Sequence, residues 1–223
     1  MGKTPGQKAV RVKGFKMSES EILRKIAVIF VTDVVGFSTL MAHNEELTLR
    51  SFRSCKEILD NLFEEHSGRI FNTAGDSVLA EFPSAVSAVI CAVEFQKLIK
   101  ARNASVTNAA QMQFRIGLNM GDVIIEGTNL YGDGVNVAAR LEALSQAGGV
   151  CLSKSIHDFV SQKVDLGFQD IGAQQVKNTN VHAFDVSIGG LAPRQIAPTP
   201  VAIEPVEAGA PPSIAVLPFK NMS

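Results

Sequence analysis

No stretch of this sequence stays apolar for the roughly 18 to 20 residues that a helix needs to cross a bilayer, so nothing in it reads as a membrane span. Cysteine is scarce as well: Cys55, Cys91 and Cys151 are odd in number, widely spaced and set among apolar residues. That argues against a disulfide framework or a thiolate metal cage, and fits buried thiols in the reducing cytoplasm. Net charge is nearly absent. A formal charge of -1 gives no general attraction to nucleic acid or to an anionic membrane, so neither is expected as a partner and any phosphate chemistry must come from locally placed groups. The first sixteen residues carry Lys3, Lys8, Arg11, Lys13 and Lys16 without an acid or an apolar core, which excludes a secretory signal.

What is there suits a globular protein: 223 residues, 46% hydrophobic and 19% charged, enough for one core with tails. Residues 1–20 read as a flexible extension and 21–188 as the folded domain. Residues 189–212, rich in Pro, Ala and Gly, read as a linker. The apolar run within 213–223 reads as the first strand of a further C-terminal domain of a longer protein.

Within the domain, Ile26 to Val31 is apolar at every position, as expected of a strand covered on both faces. Between Glu45 and Ser67, Leu49, Phe52, Cys55, Leu59, Leu62 and Phe63 recur at helical spacing, and Gly68 closes the helix. Arg69–Ala74 and Ser77–Phe82 predict a hairpin turning at Gly75-Asp76. Ser84 caps a second helix ending near Lys100, with Val86, Ile90, Val93 and Leu98 as its buried stripe. Phe114, Ile116, Leu118 and Met120 alternate with Arg115, Gly117 and Asn119, and Gly121-Asp122 predicts a second hairpin into Val123–Glu126. Residues 132–145 predict a third helix, with shorter strands at 150–152, near Phe168 and at 183–186. This order predicts an α+β fold: a ferredoxin-like, antiparallel-centred sheet with helices packed on one face.

Asp33 ends a buried strand and precedes Val34-Val35-Gly36-Phe37-Ser38, where a glycine lets backbone amides approach an anion. If the first hairpin pairs beside that strand, Asp76 lies next to Asp33, and two carboxylates can hold two divalent ions. Taken singly, Asp33 reads as well as a helix cap and Asp76 as a turn former. Asp122 is a rival at the second predicted turn. Asn136 and Arg140, four apart on one helix face, can reach a phosphate, or can simply be solvated.

Together these segments resemble one family. Phe30-Val-Thr-Asp33-Val-Val-Gly36-Phe37-Ser38 resembles the first metal-binding segment of class III adenylyl and guanylyl cyclases, and Gly68 to Asp76 resembles the second. Tyr131-Gly-Asp-Gly-Val-Asn136-Val-Ala-Ala-Arg140 resembles the catalytic helix, and Val176-Lys177-Asn178 the late lysine turn. The resemblance implies a homodimer with shared sites, converting ATP or GTP to a 3′,5′-cyclic nucleotide. It implies that Asp33, Asp76 and the Val34 carbonyl hold two Mg²⁺ or Mn²⁺ ions, and that Gly36, Phe37 and Ser38 cradle phosphates. Asn136 would orient the ribose, Arg140 the α-phosphate, and Lys177 the β- and γ-phosphates. At the base-reading positions adenylyl cyclases commonly have Lys with Asp or Thr, and guanylyl cyclases Glu with Cys. This chain has Asn72 and Asn129. An adenylate cyclase is the favoured expectation, ahead of a guanylate cyclase or a catalytically silent dimerisation domain.

Overall fold

Leu23–Val34 forms β1, whose apolar run is buried on both sides from Ala27 to Val31, where successive side chains enter different cores, while Ile26, expected to be covered, is exposed. Val28 and Phe30 point into the larger core, while Ala27, Ile29 and Val31 point into a second core on the opposite face. The computed structural model of the chain describes residues 22–176 and 179–195. Lys177, the N-terminal extension, the linker beyond 195 and the expected further domain lie outside the described residues.

After β1 come the short helix α1 (Phe37–His43) and the long α2 (Glu45–Glu65). Asn44 caps α2 by accepting from the Leu47 amide at 3.0 Å, with Glu45 and Glu46 in the first turn where negative charge suits the helix dipole. The predicted hairpin forms as β2 (Arg69–Ala74) and β3 (Ser77–Phe82), with β3 antiparallel to β1. Ser84 caps α3 (Ala85–Ser105) as expected. Of the predicted stripe, Val93 is buried and Val86 packs against the core, but the buried side is broader than predicted and leaves out Leu98. Ala88, Val89, Ala92, Phe95 and Ile99 are also buried while Leu98 is 45% exposed, because small residues let a broader side of the helix approach the sheet.

The second predicted hairpin is absent. β4 (Phe114–Glu126) runs unbroken through Gly121-Asp122, since β1 is long enough to pair with all of it, Ala27 opposite Gly121 and Ile26 opposite Asp122. Tertiary pairing thus overrides the local turn signal. The chain reverses at Gly127-Thr128 instead, into β5 (Asn129–Tyr131). Next come α4 (Asp133–Leu144), β6 (Val150–Ser153), α5 (Lys154–Val160), β7 (Phe168–Val176) and β8 (Thr179–Val186). The strand order is β2-β3-β1-β4-β6-β8-β7, with β5 pairing β4, and β4–β6 is a parallel pair. The first four strands carry the expected ferredoxin-like, antiparallel centre.

Helices cover both faces rather than one. α2, α3 and α5 cover the larger core, whereas Ala138 of α4 joins Ile29 and Val31 on the other side. Gly117 permits that arrangement, because a Cβ there would lie 2.1 Å from the Glu142 amide nitrogen and 2.3 Å from the Ala138 carbonyl oxygen. The backbones of β4 and α4 are therefore in direct contact. Past β8 the chain stays attached as far as Arg194, whose guanidinium grips the buried Asp185 and donates to the Leu144 carbonyl at 2.7 Å. Among the described residues no helix is long and apolar enough to cross a membrane.

Candidate active site

Two carboxylates meet where β1 ends. Ser77, the first residue of β3, donates from Oγ to Asp33 Oδ1 at 2.9 Å, and the Val34 amide donates to Asp76 Oδ2 at 3.1 Å. The hairpin thus carries Asp76 beside Asp33. Burial, with Asp33 alongside as hydrogen-bond acceptor and as like charge, pushes the Asp76 carboxyl up to about 6. Two carboxylates that resist being ionised together fit a divalent cation, which relieves the repulsion that a proton otherwise relieves. Among the described residues no group of three or more His, Cys, Asp or Glu could hold a metal by itself. An ion held here therefore needs further oxygen ligands, such as phosphates and water, as Mg²⁺ sites on phosphate substrates commonly have.

Directly after the pair, Gly36 adopts a left-handed conformation (φ 69°) that turns the chain into α1, and nothing lies where its Cβ would be. The half-buried Phe37 anchors the turn by packing against Phe52, ring centroids 5.4 Å apart, and Ser38 is exposed. Asp122, the rival carboxylate, is paired with Arg24. It lies seven residues along β4 from Arg115, the register partner of Asp33, hence roughly 23 Å away at strand spacing.

Asn136 and Arg140 do sit on one face of α4, about 40° apart around its axis. The buried positions Gly134, Ala138, Leu141 and Glu142 mark the sheet-facing side. Ala138 is about 160° or more around the helix from both, so Asn136 and Arg140 project away from the sheet that carries Asp33 and Asp76. Arg140 also keeps one buried nitrogen, Nη1, without a hydrogen-bond partner. An unpaired buried donor is costly and suits an anion brought to it. Asn72 is exposed on β2, where the register slips between Ile70 and Asn72. Asn129 donates from Nδ2 to Tyr131 Oη at 3.3 Å.

Two residues stand beside the carboxylates that sequence reasoning did not single out. Arg115 Nη2 is 3.6 Å from Asp33 Oδ2, and Arg115 Nε is 3.0 Å from Glu142 Oε1. Burial pushes Glu142 up to about 7; Arg115 opposes that shift, and the charges of Asp33 and Asp76 add to it. Arg115 alternates with apolar neighbours along β4 and so reads from sequence as solvent-facing. The missing side chain at Gly117 was the available sign that a helix covers that side.

The comparisons agree with this geometry. Residues 18–187 match the family model described as the adenylate and guanylate cyclase catalytic domain. A Rhizobium meliloti (strain 1021) protein named "Putative adenylate cyclase 3" is 43% identical over 212 residues, covering 93% of this chain and 35% of that protein. The chain thus spans about a third of that relative's length. An adenylate/guanylate cyclase/hydrolase from Silicibacter pomeroyi superposes with a TM-score of 0.68 at 35% identity, covering 74% of this chain and 98% of that one. The adenylyl cyclase CyaB from P. aeruginosa shares the fold, with a TM-score of 0.66 at 24% identity over 79% of this chain and 99% of its own. With its carboxylate pair, its outward-facing Asn136 and Arg140 and these matches, the chain belongs to the adenylate and guanylate cyclase catalytic domain family.

Proposed function

We propose that this domain is an adenylate cyclase, converting ATP to 3′,5′-cyclic AMP and pyrophosphate at sites shared between two copies of the chain. One observation carries the reading: Asp33 and Asp76 lie at the sheet end, while Asn136 and Arg140 leave α4 on the side turned from that sheet, Arg140 half-buried with Nη1 unpartnered. Residues of one chain so divided meet on one nucleotide when a second copy supplies the missing half.

Asp33, Asp76 and the Val34 carbonyl would hold Mg²⁺ or Mn²⁺, two ions per site. When bound, these ions supply positive charge that favours ionisation of the ribose 3′-hydroxyl and steadies the departing pyrophosphate. The turn at Gly36 offers the amides of Phe37 and Ser38 to the phosphates. From the partner, Asn136 orients the ribose for in-line attack of its 3′-oxygen on the α-phosphorus. Arg140 donates to the α-phosphate as its charge develops, a contribution of the kind typically worth about 10²- to 10³-fold in rate. Lys177 is assigned the β- and γ-phosphates from the resemblance alone. The catalysis is mainly positioning and electrostatics.

For the base, Asn129 donates one of its two amide hydrogens to Tyr131 Oη, which leaves its carbonyl oxygen and one hydrogen for a ligand. The carbonyl can accept from the exocyclic amino group of adenine, and the hydrogen can donate to O6 of guanine. The choice of ATP over GTP is supported by the 43% identity to a protein named "Putative adenylate cyclase 3", with Asn129 and Asn72 as the base readers. A cytoplasmic location fits the three free, buried cysteines, of which burial pushes Cys91 and Cys151 up to about 12.

The test is cyclic nucleotide production by the purified chain at high concentration with Mg²⁺ or Mn²⁺, comparing ATP with GTP and using Asp33→Ala as the blank. Cyclic AMP above the blank is expected. Cyclic GMP alone would reverse the base assignment, and no product from a dimer confirmed by sedimentation would favour a silent, dimerising domain.

A further inference from the structure

Arg115 stands between two acids. It is the register partner of Asp33 across β1 and β4, and Thr32 Oγ1 donates to its carbonyl oxygen at 2.9 Å, which pins its backbone. The freedom left to it is in the guanidinium. That group lies nearer Glu142, at 3.0 Å, than Asp33, at 3.6 Å, a separation beyond a directed hydrogen bond. Even the shorter contact is an ion pair without alignment, since neither Arg115 Nε nor Glu142 Oε1 has a directed hydrogen-bond partner. Asp33 Oδ1 already accepts from Ser77, so Oδ2, the oxygen facing Arg115, is the less engaged of the two for an ion.

We propose that Arg115 and Glu142 form a positioning pair in which Glu142 holds the guanidinium back from Asp33, keeping that carboxylate available to a divalent ion. This rests on the assignment of Asp33 as a metal ligand made above. Two opposite pulls act on one cation. Were Glu142 neutral, the attraction of Asp33 would be unopposed, and the guanidinium would close on Oδ2 and compete with the ion. The geometry cannot relax by moving the helix inwards, because α4 already touches β4 at Gly117, with the Glu142 amide among the touching atoms. Glu142 thus enters the site at a distance set by backbone contact. The same helix carries Asn136 and Arg140, so the pair also ties one chain's metal half-site to the helix that serves the other site.

The experiment is Mn²⁺ binding to the full chain without nucleotide, by titration calorimetry, alongside thermal melting. Glu142→Gln should raise the Mn²⁺ Kd about tenfold or more, the usual scale for losing an outer-shell partner, while melting close to the wild type. The double variant Arg115→Gln/Glu142→Gln should recover affinity towards the wild type, since no cation remains to compete. A merely structural pair would give the opposite order, with the double variant binding no better than the single. An unchanged Kd in Glu142→Gln, or no recovery in the double variant, overturns the proposal. If Glu142→Gln does not fold, the double variant alone decides, because weaker binding than wild type in that charge-balanced chain contradicts the proposal. Asp33→Ala separates the two failures: if it binds Mn²⁺ like the wild type, the metal assignment itself falls and takes the pair with it.

Discussion

The two faces of the central sheet both carry an apolar core, but they differ in what stands beside it. Towards α2 and α3 the sheet presents Phe30, Phe82 and Phe114, and the rings of Phe30 and Phe63 meet edge to face at 5.1 Å. Towards α4 the same strands present Asp33, Arg115, Gly117 and Asn119, the last buried and donating to the Gly134 carbonyl at 2.9 Å. The first face is filled by large rings, whereas the second combines a smaller apolar core around Ile29, Val31 and Val123 with backbone contact and paired charge beside the carboxylates. A side chain lost from the first face leaves a cavity. One lost from the charged part of the second face, outside its small core, mainly disturbs the placement of groups that act on substrate.

That contrast can be broken or sharpened by substitution. The largest expected effect is at the carboxylates: Asp33→Ala or Asp76→Ala should abolish turnover in a cyclase assay while calorimetric melting changes little, because either change also removes a like-charge contact. A large fall in melting temperature would erase the distinction between the faces. Next, Arg140→Ala should lower kcat about 10²- to 10³-fold, and mixing it with Asp33→Ala chains should restore part of the activity, since a mixed dimer holds one intact site. No recovery under proven subunit exchange would argue against sites shared between copies. On the other face, Phe30→Ala should cost about 3–5 kcal/mol in denaturant unfolding, and the surviving folded fraction should bind Mn²⁺ normally. Smallest in energy, Gly117→Ala should cost about 1–3 kcal/mol as an overpacking change. It should nevertheless lower kcat, since it lifts the helix that carries Asn136, Arg140 and Glu142. Loss of stability without loss of turnover at Gly117 would detach the helix contact from function.

The sequence made one face more legible than the other. Apolar periodicity marked Leu59, Leu62, Phe63 and the β1 run, and short motifs marked Asp33, Asp76, Asn136 and Arg140, because in each case the signal lies within a few consecutive residues. Arg115 and Glu142 escaped notice because their meaning depends on a helix laid over the strand, and alternation with Ile116 and Leu118 otherwise reads as exposure to water. The false turn at Gly121-Asp122 has the same origin. Locally a glycine followed by an aspartate turns a chain, but twelve residues of β1 paired against β4 hold it straight. The α3 stripe was only partly placed, Val93 buried but Leu98 exposed, because alanines at 88 and 92, weak in a hydrophobic pattern, also face the core.

The grip of Arg194 on Asp185 and on the end of α4 sets where the domain can be cut. A fragment ended at residue 188, where composition suggests the linker begins, would strand Asp185, buried at 7% exposure, without its cation. Breaking a buried pair in this way typically costs about 3–5 kcal/mol. An expression boundary drawn beyond Arg194 keeps the counter-ion and leaves the last carbonyl of α4 satisfied.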